Sequence, residues 1–290
     1  MESLRSRALA ALIASQNPEG GWGYHGACSW TEPAALALLA LRGEPGASEC
    51  VSRGNRYLLS LQRPDGGWPP RETVERSTWV TALAVLALGP QLNGDALKRA
   101  VRWLLDQRAA DTSFVHRLRM RMLGESAPRN QGEGWPWFPD TASWVAPTAV
   151  TIVALRKLQN RSPSPNLDSR LGEARQFLWS RACGDGGWNH GSTRALGYEA
   201  PSYPETTGLA LTALRGDDSP RMPTAVAAAE RHLRATRFSS AHSWLRLGLI
   251  AQGRPVSGIS PQAPTWRGNM DAALCLLAER AESEDLLFGD

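Results

Sequence analysis

Four carboxylates sit where an acid could act beside apolar sequence. Glu32, Glu205 and Asp271 each open a stretch dominated by Ala and Leu, and Asp140 lies a few residues before another. Trp30, Trp79, Trp144 and Tyr203 crowd the starts of the same stretches. An aromatic face stabilises a cation through its quadrupole, by about 2 kcal/mol or more once desolvated. A carboxyl kept neutral by apolar burial can in turn deliver a proton. Together these residue types suit an apolar ligand and acid-initiated cation chemistry. Simpler readings compete at each position. The aromatics would also pack helix ends, and Glu32, Glu205 and Asp271 are anions of the kind a helix N-terminus favours.

The elements that must position these residues are repeats. A glycine-rich turn ending in Trp occurs as Pro18-Glu19-Gly20-Gly21-Trp22 and as Pro64-Asp65-Gly66-Gly67-Trp68. It returns as Gly132-Glu133-Gly134-Trp135 and as Gly184-Asp185-Gly186-Gly187-Trp188. The spacing of roughly 50 residues is what two helices of ordinary length and two loops require. Each turn follows an amphipathic segment, for which 3–16, 49–62, 95–108, 167–182 and 223–236 are the candidates. Six segments that are apolar almost all round alternate with them: 33–42, 79–88, 147–158, 205–215, 242–252 and 270–282. A helix without a polar face must be surrounded by protein. The predicted fold is therefore all-α, an α/α toroid of about six hairpins with an inner and an outer ring, in one domain spanning 1–290. Gly253 to Arg267 reads as loop, which leaves the sixth outer helix missing and ring closure open there.

Aligning the inner segments on their Leu-Ala-Leu ends gives columns. Trp30, Ser77, Trp144 and Tyr203 form one, and Glu32, Trp79, Ala146 and Glu205 follow two residues on. Ala34, Thr81, Thr148 and Thr207 come two further on. The expectation is an aromatic and acidic rim above a small-residue interior to which Thr81, Thr148 and Thr207 contribute.

The bulk numbers exclude several classes. Net charge is only +4, the basic residues are scattered and no polybasic tail or finger spacing occurs, so nucleic acid is not expected as a partner. Cys28, Cys50, Cys183 and Cys275 form no CxxC pair and fit free thiols in a reducing, cytoplasmic compartment. Residues 1–16 run directly into the first repeat and read as a helix rather than a signal peptide. No apolar run is long enough to span a bilayer. An insertion at 112–130 interrupts the repeat, and within it 113–124 mixes Arg117, Arg119 and Arg121 with Leu and Met. It reads either as an interfacial helix giving peripheral membrane contact or as a lid. Oligomeric state is not legible.

The segment Arg53-Gly54-x-x-Tyr57-Leu58-x-x-x-Gln62-x-x-x-Gly66-x-Trp68 resembles the QW motif of squalene–hopene and oxidosqualene cyclases, with degraded copies at Arg7–Trp22 and Arg175–Trp188. Protein prenyltransferase β-subunits share the toroid. The resemblance implies a stabilising role for Gln62, Trp22, Trp68, Trp135 and Trp188. It also implies a linear isoprenoid ligand, and in such cyclases the central Asp of a DxDD motif protonates an alkene. Here the matching stretch is Ser202-Tyr203-Pro204-Glu205-Thr206, with Pro204 at the donor position and only the last acid kept, as Glu205. A donor must then come from Glu205, Glu32, Asp271 or Asp140, with Glu205 first. Trp30, Trp79, Trp144, Tyr203 and the three Thr would bind the substrate. No Asp-x-Cys zinc motif and no phosphate loop is present, so neither metal nor cofactor is expected. Two alternatives stand beside the cyclase: a non-catalytic toroid binding a hydrophobic ligand or protein partner, and a prenyltransferase-type subunit.

Overall fold

The computed structural model describes residues 3–26, 28–110, 132–159, 165–195, 198–256 and 266–289. The whole insertion at 112–130, and with it the 113–124 segment, lies outside them, as do residues 257–265.

Eleven α-helices are described, in two kinds. Six are buried on every side: α2 (Thr31–Leu41), α4 (Val80–Leu88), α6 (Val145–Leu158), α8 (Pro204–Ala213), α10 (Ser239–Ala251) and α11 (Asn269–Arg280). All nine residues of α4 are buried, as an apolar helix with no polar face demands. The other five are α1 (Leu4–Ala14), α3 (Ser48–Ser60), α5 (Gly94–Asp106), α7 (Pro165–Ser180) and α9 (Met222–Ala235). α3 buries only Cys50, Gly54, Tyr57 and Leu58, the single stripe of a surface helix.

The buried helices pack in a circle: α2 on α4, α4 on α6, α6 on α8, α8 on α10, α10 on α11, and α11 back on α2. The ring therefore closes. It does so without a sixth outer helix among the described residues, because α1 packs on both α11 and α2. Charged side chains clasp this seam. Arg280, almost fully buried, donates to the carbonyls of Ala40 and Arg42 at 2.7 Å each and pairs with Glu44 at 3.1 Å. Arg246 of α10 similarly holds Glu279 and Glu282.

The Trp turns repeat one geometry four times. The indole N–H groups of Trp22, Trp68, Trp135 and Trp188 donate to the carbonyls of Leu12, Leu58, Leu104 and Leu178, each on the preceding outer helix, at 2.6–2.8 Å. The Gln62 amide donates to Gly66 and Ala96 carbonyls, and Gln16 does the same to Gly20 and Cys50. Gly20, Gly66 and Gly186 turn the chain with φ near +95°, and at Gly66 a Cβ would fall 2.5 Å from the Arg99 backbone. Only glycine fits there.

At the far end of the ring the segment after α11 folds beneath the lumen. Asp285 pairs with Arg215 at 2.7 Å, Lys157 donates to the Leu286 carbonyl, and Phe288 lies against the guanidinium groups of Arg156 and Arg215. Among the described residues no helix is long and apolar enough to cross a membrane.

Candidate active-site cavity

The lumen of the ring is lined in tiers. At the mouth stand Glu32, Trp79, Ala146, Glu205, Ser240 and Met270. Four residues deeper on each inner helix come Leu36, Leu83, Val150, Leu209, Trp244 and Leu274. Three deeper again lie Leu39, Leu86, Val153, Thr212, Leu247 and Leu277. Residues at i, i+4 and i+7 share one helix face, so each inner helix turns a single stripe toward the axis. The upper two tiers enclose a cavity of about 340 Å³. That is within the range of small-molecule sites. Below it the lowest tier, with Leu287, packs around a void of only about 10 Å³.

Glu32 is the partly buried carboxyl of the mouth. Its Oε2 accepts a hydrogen bond from the Tyr24 hydroxyl, and Tyr24 itself packs edge-on against Trp30 at 5.5 Å. Burial pushes the Glu32 carboxyl above the usual range, while the Tyr24 bond pulls the other way. Burial and the neighbouring Glu32 charge together raise the Tyr24 phenol. Glu205 also lines the cavity but is solvent-exposed, and its Oε1 accepts from Ser240 at 2.7 Å. Asp271 lines it too, with Oδ2 accepting the Arg267 backbone N–H at 3.0 Å, so this carboxylate also caps the approach to α11. These two acids share a smaller polar vestibule with Arg237 and Arg267.

Of the four carboxylates singled out in the sequence, three meet at the mouth. Asp140 does not: it is exposed on a turn with φ 66° and pairs with Arg76 at 3.3 Å. Of the aromatics, Trp79 lines the cavity, held edge-to-face by Trp137 at 4.6 Å. Trp30, Trp144 and Tyr203 are not part of the wall, and Trp144 and Tyr203 are solvent-exposed. Trp30 backs Tyr24, while Trp144 and Tyr203 flank the ring of His190. Thr81, Thr148 and Thr207 face away from the lumen and are corrected to structural residues. Their buried hydroxyls accept the backbone N–H of Trp68, Trp135 and Trp188 at 2.8, 2.8 and 3.0 Å. The reason is helical geometry. Two residues turn a helix by about 200°, so columns two apart cannot share a face.

Tyr24, Trp137, His190 and Trp244 line the cavity and were not singled out in the sequence. The first three share a signal, each standing two residues after a repeat Trp. Trp244 has none, since its helix follows no Trp turn.

No protein-family profile matches the chain. It is 26% identical over 211 residues to drimenyl diphosphate synthase of Streptomyces showdoensis, a match covering 70% of this chain and 34% of the relative. It is 29% identical over 238 residues to the drimenyl diphosphate synthase of Streptantibioticus cattleyicolor, covering 77% and 38%. The chain thus spans about a third of the length of the curated relatives it matches. Among solved structures it is similar to a type II terpene cyclase from Scytonema in complex with geranylgeranyl dihydroxybenzoate, with a TM-score of 0.57 and 17% identity. That match covers 96% of this chain and 78% of that one. The chain thus shares the α/α-toroid fold of that cyclase and is similar in sequence to the two synthases.

Proposed function

We propose that the chain binds a linear isoprenoid in the tiered lumen and that Glu32 starts its cyclisation by protonating an alkene. The observation that carries the reading is the Glu32–Tyr24 pair at the mouth of an apolar, aromatic cavity. Burial raises the Glu32 carboxyl above the usual glutamate range and so favours its protonated form. The Tyr24 hydroxyl steadies the carboxylate left behind and so strengthens the acid at the moment of transfer. The Glu32 O–H bond breaks, the alkene π pair forms the new C–H bond, and a tertiary cation remains on the neighbouring carbon. Trp79, Trp137 and Trp244 line the space it would occupy, and such faces contribute about 2 kcal/mol or more each when desolvated. Attack by a second alkene closes a ring, and loss of a proton to Glu32 or water ends the sequence. The relatives named as drimenyl diphosphate synthases support an isoprenoid substrate. The one-domain organisation of 1–290 is part of the same proposal.

Incubation with farnesyl, geranylgeranyl and squalene-type substrates, followed by product analysis, tests it. Glu32→Gln should lose about 10²- to 10⁴-fold in turnover, as removal of a general acid does, while Glu205→Gln stays active. Full turnover by Glu32→Gln would overturn the assignment. Pro204 at the position where the resemblance places the donor favours a second reading, a toroid that binds without reacting. Binding without product by the unmodified protein would select it.

A further inference from the structure

The middle tier of the lumen is aliphatic in five of its six positions and aromatic in one. Leu36, Leu83, Val150, Leu209 and Leu274 are joined by Trp244. Trp244 borders both the cavity above and the small void below, as Leu36, Leu83, Val150 and Leu209 do, and it is the largest side chain of that tier. Its root is fixed by an unusually close helix crossing. Gly208 of α8 and Gly248 of α10 let the two backbones touch: a Cβ on Gly208 would lie 2.3 Å from the Trp244 carbonyl carbon, and one on Gly248 2.4 Å from the Gly208 carbonyl oxygen. This crossing fixes the point at which the Trp244 side chain leaves α10.

We infer that Trp244 is the floor of the cavity and sets the longest isoprenoid chain the protein accepts, an inference that rests on the isoprenoid reading. One tier of the lumen is about one helical turn deep, roughly 5.4 Å, which is about the reach of one isoprene unit. Removing the indole therefore opens room for one further unit before a chain meets Leu247, Leu277 and, beneath them, Leu287. The internal repeat supplies a substitution that the fold accepts, because the equivalent place on the other five inner helices holds Leu or Val.

The test is competition of geraniol, farnesol and geranylgeraniol against anilinonaphthalene sulfonate, for the unmodified protein, Trp244→Leu and Trp244→Ala. Thermal melts establish that each variant is folded. In the unmodified protein affinity should rise with length and then stop rising at one alcohol. In Trp244→Leu and Trp244→Ala the next longer alcohol should bind at least about tenfold tighter than to the unmodified protein, moving the break by one isoprene unit. A break at the same alcohol in folded Trp244→Leu overturns the floor and leaves the isoprenoid reading standing. Failure of the unmodified protein to bind any of the three overturns that reading and the floor with it.

Discussion

Thr81→Val removes one hydroxyl and keeps the shape of the side chain. That hydroxyl is fully buried and accepts the Trp68 backbone N–H at 2.8 Å. Valine offers no acceptor, and the Trp68 N–H, also buried, is left without its partner. Such an orphaned group costs about 1–3 kcal/mol. A chain of this size loses about 2–4 °C in Tm per kcal/mol, so the melt should fall by about 2–12 °C. Thr81→Ser keeps the acceptor and deletes one methyl, at about 0.8 kcal/mol of transfer energy. The order should therefore be unmodified protein, then Ser, then Val. Circular dichroism melts and urea midpoints measure it, and Thr148→Val and Thr207→Val should repeat the result against Trp135 and Trp188. A Val variant as stable as the Ser variant would refute the structural assignment. A Val variant of full stability but weakened farnesol binding would return Thr81 to the cavity wall.

Three further outcomes follow from the geometry. Because Glu32 is raised in the folded protein, the stability it contributes is complete below the ordinary glutamate range and is lost as pH rises through its elevated folded value; urea midpoints against pH should flatten in Glu32→Gln, and parallel curves would deny it. Arg280→Met leaves Glu44, whose side chain is 2% exposed, with only the surface Arg5 for a partner. That should cost about 3–5 kcal/mol, the usual loss when one member of a buried pair is removed, read from chemical denaturation. Gly208→Ala drives a methyl into the Trp244 backbone and should cost about 1–3 kcal/mol as overpacking; an unchanged melting temperature would contradict the close crossing.

Helix type was legible because it depends on how much of the circumference is apolar. Segments apolar all round became the inner ring and striped ones the outer ring, with boundaries a few residues from those observed. The column Glu32, Trp79, Ala146, Glu205 was also legible, and it lines the mouth. The columns two residues to either side were read onto the same wall, which a helix turning about 100° per residue does not allow. That error placed Thr81, Thr148 and Thr207 in the interior. Glu205 ranked first by its place in the Ser202–Thr206 stretch, whereas the sequence carries no record of burial, the property that distinguishes Glu32. Ring closure was hidden for a different reason. It depends on α11 meeting α1 and α2 from the opposite end of the chain, a contact with no local signature.

That closure changes what kind of polymer the repeat makes. A linear stack of hairpins has two terminal units with one neighbour each, needs polar caps, and frays from its ends. In a circle every inner helix has two inner neighbours, and no hairpin is first or last. Opening any one of them must break two interfaces at once, so local opening is suppressed around the whole circumference instead of growing toward either end. The lumen then keeps a fixed diameter, and a cavity in its middle is held open by the hoop around it. Its shape does not depend on a ligand to prop the walls apart.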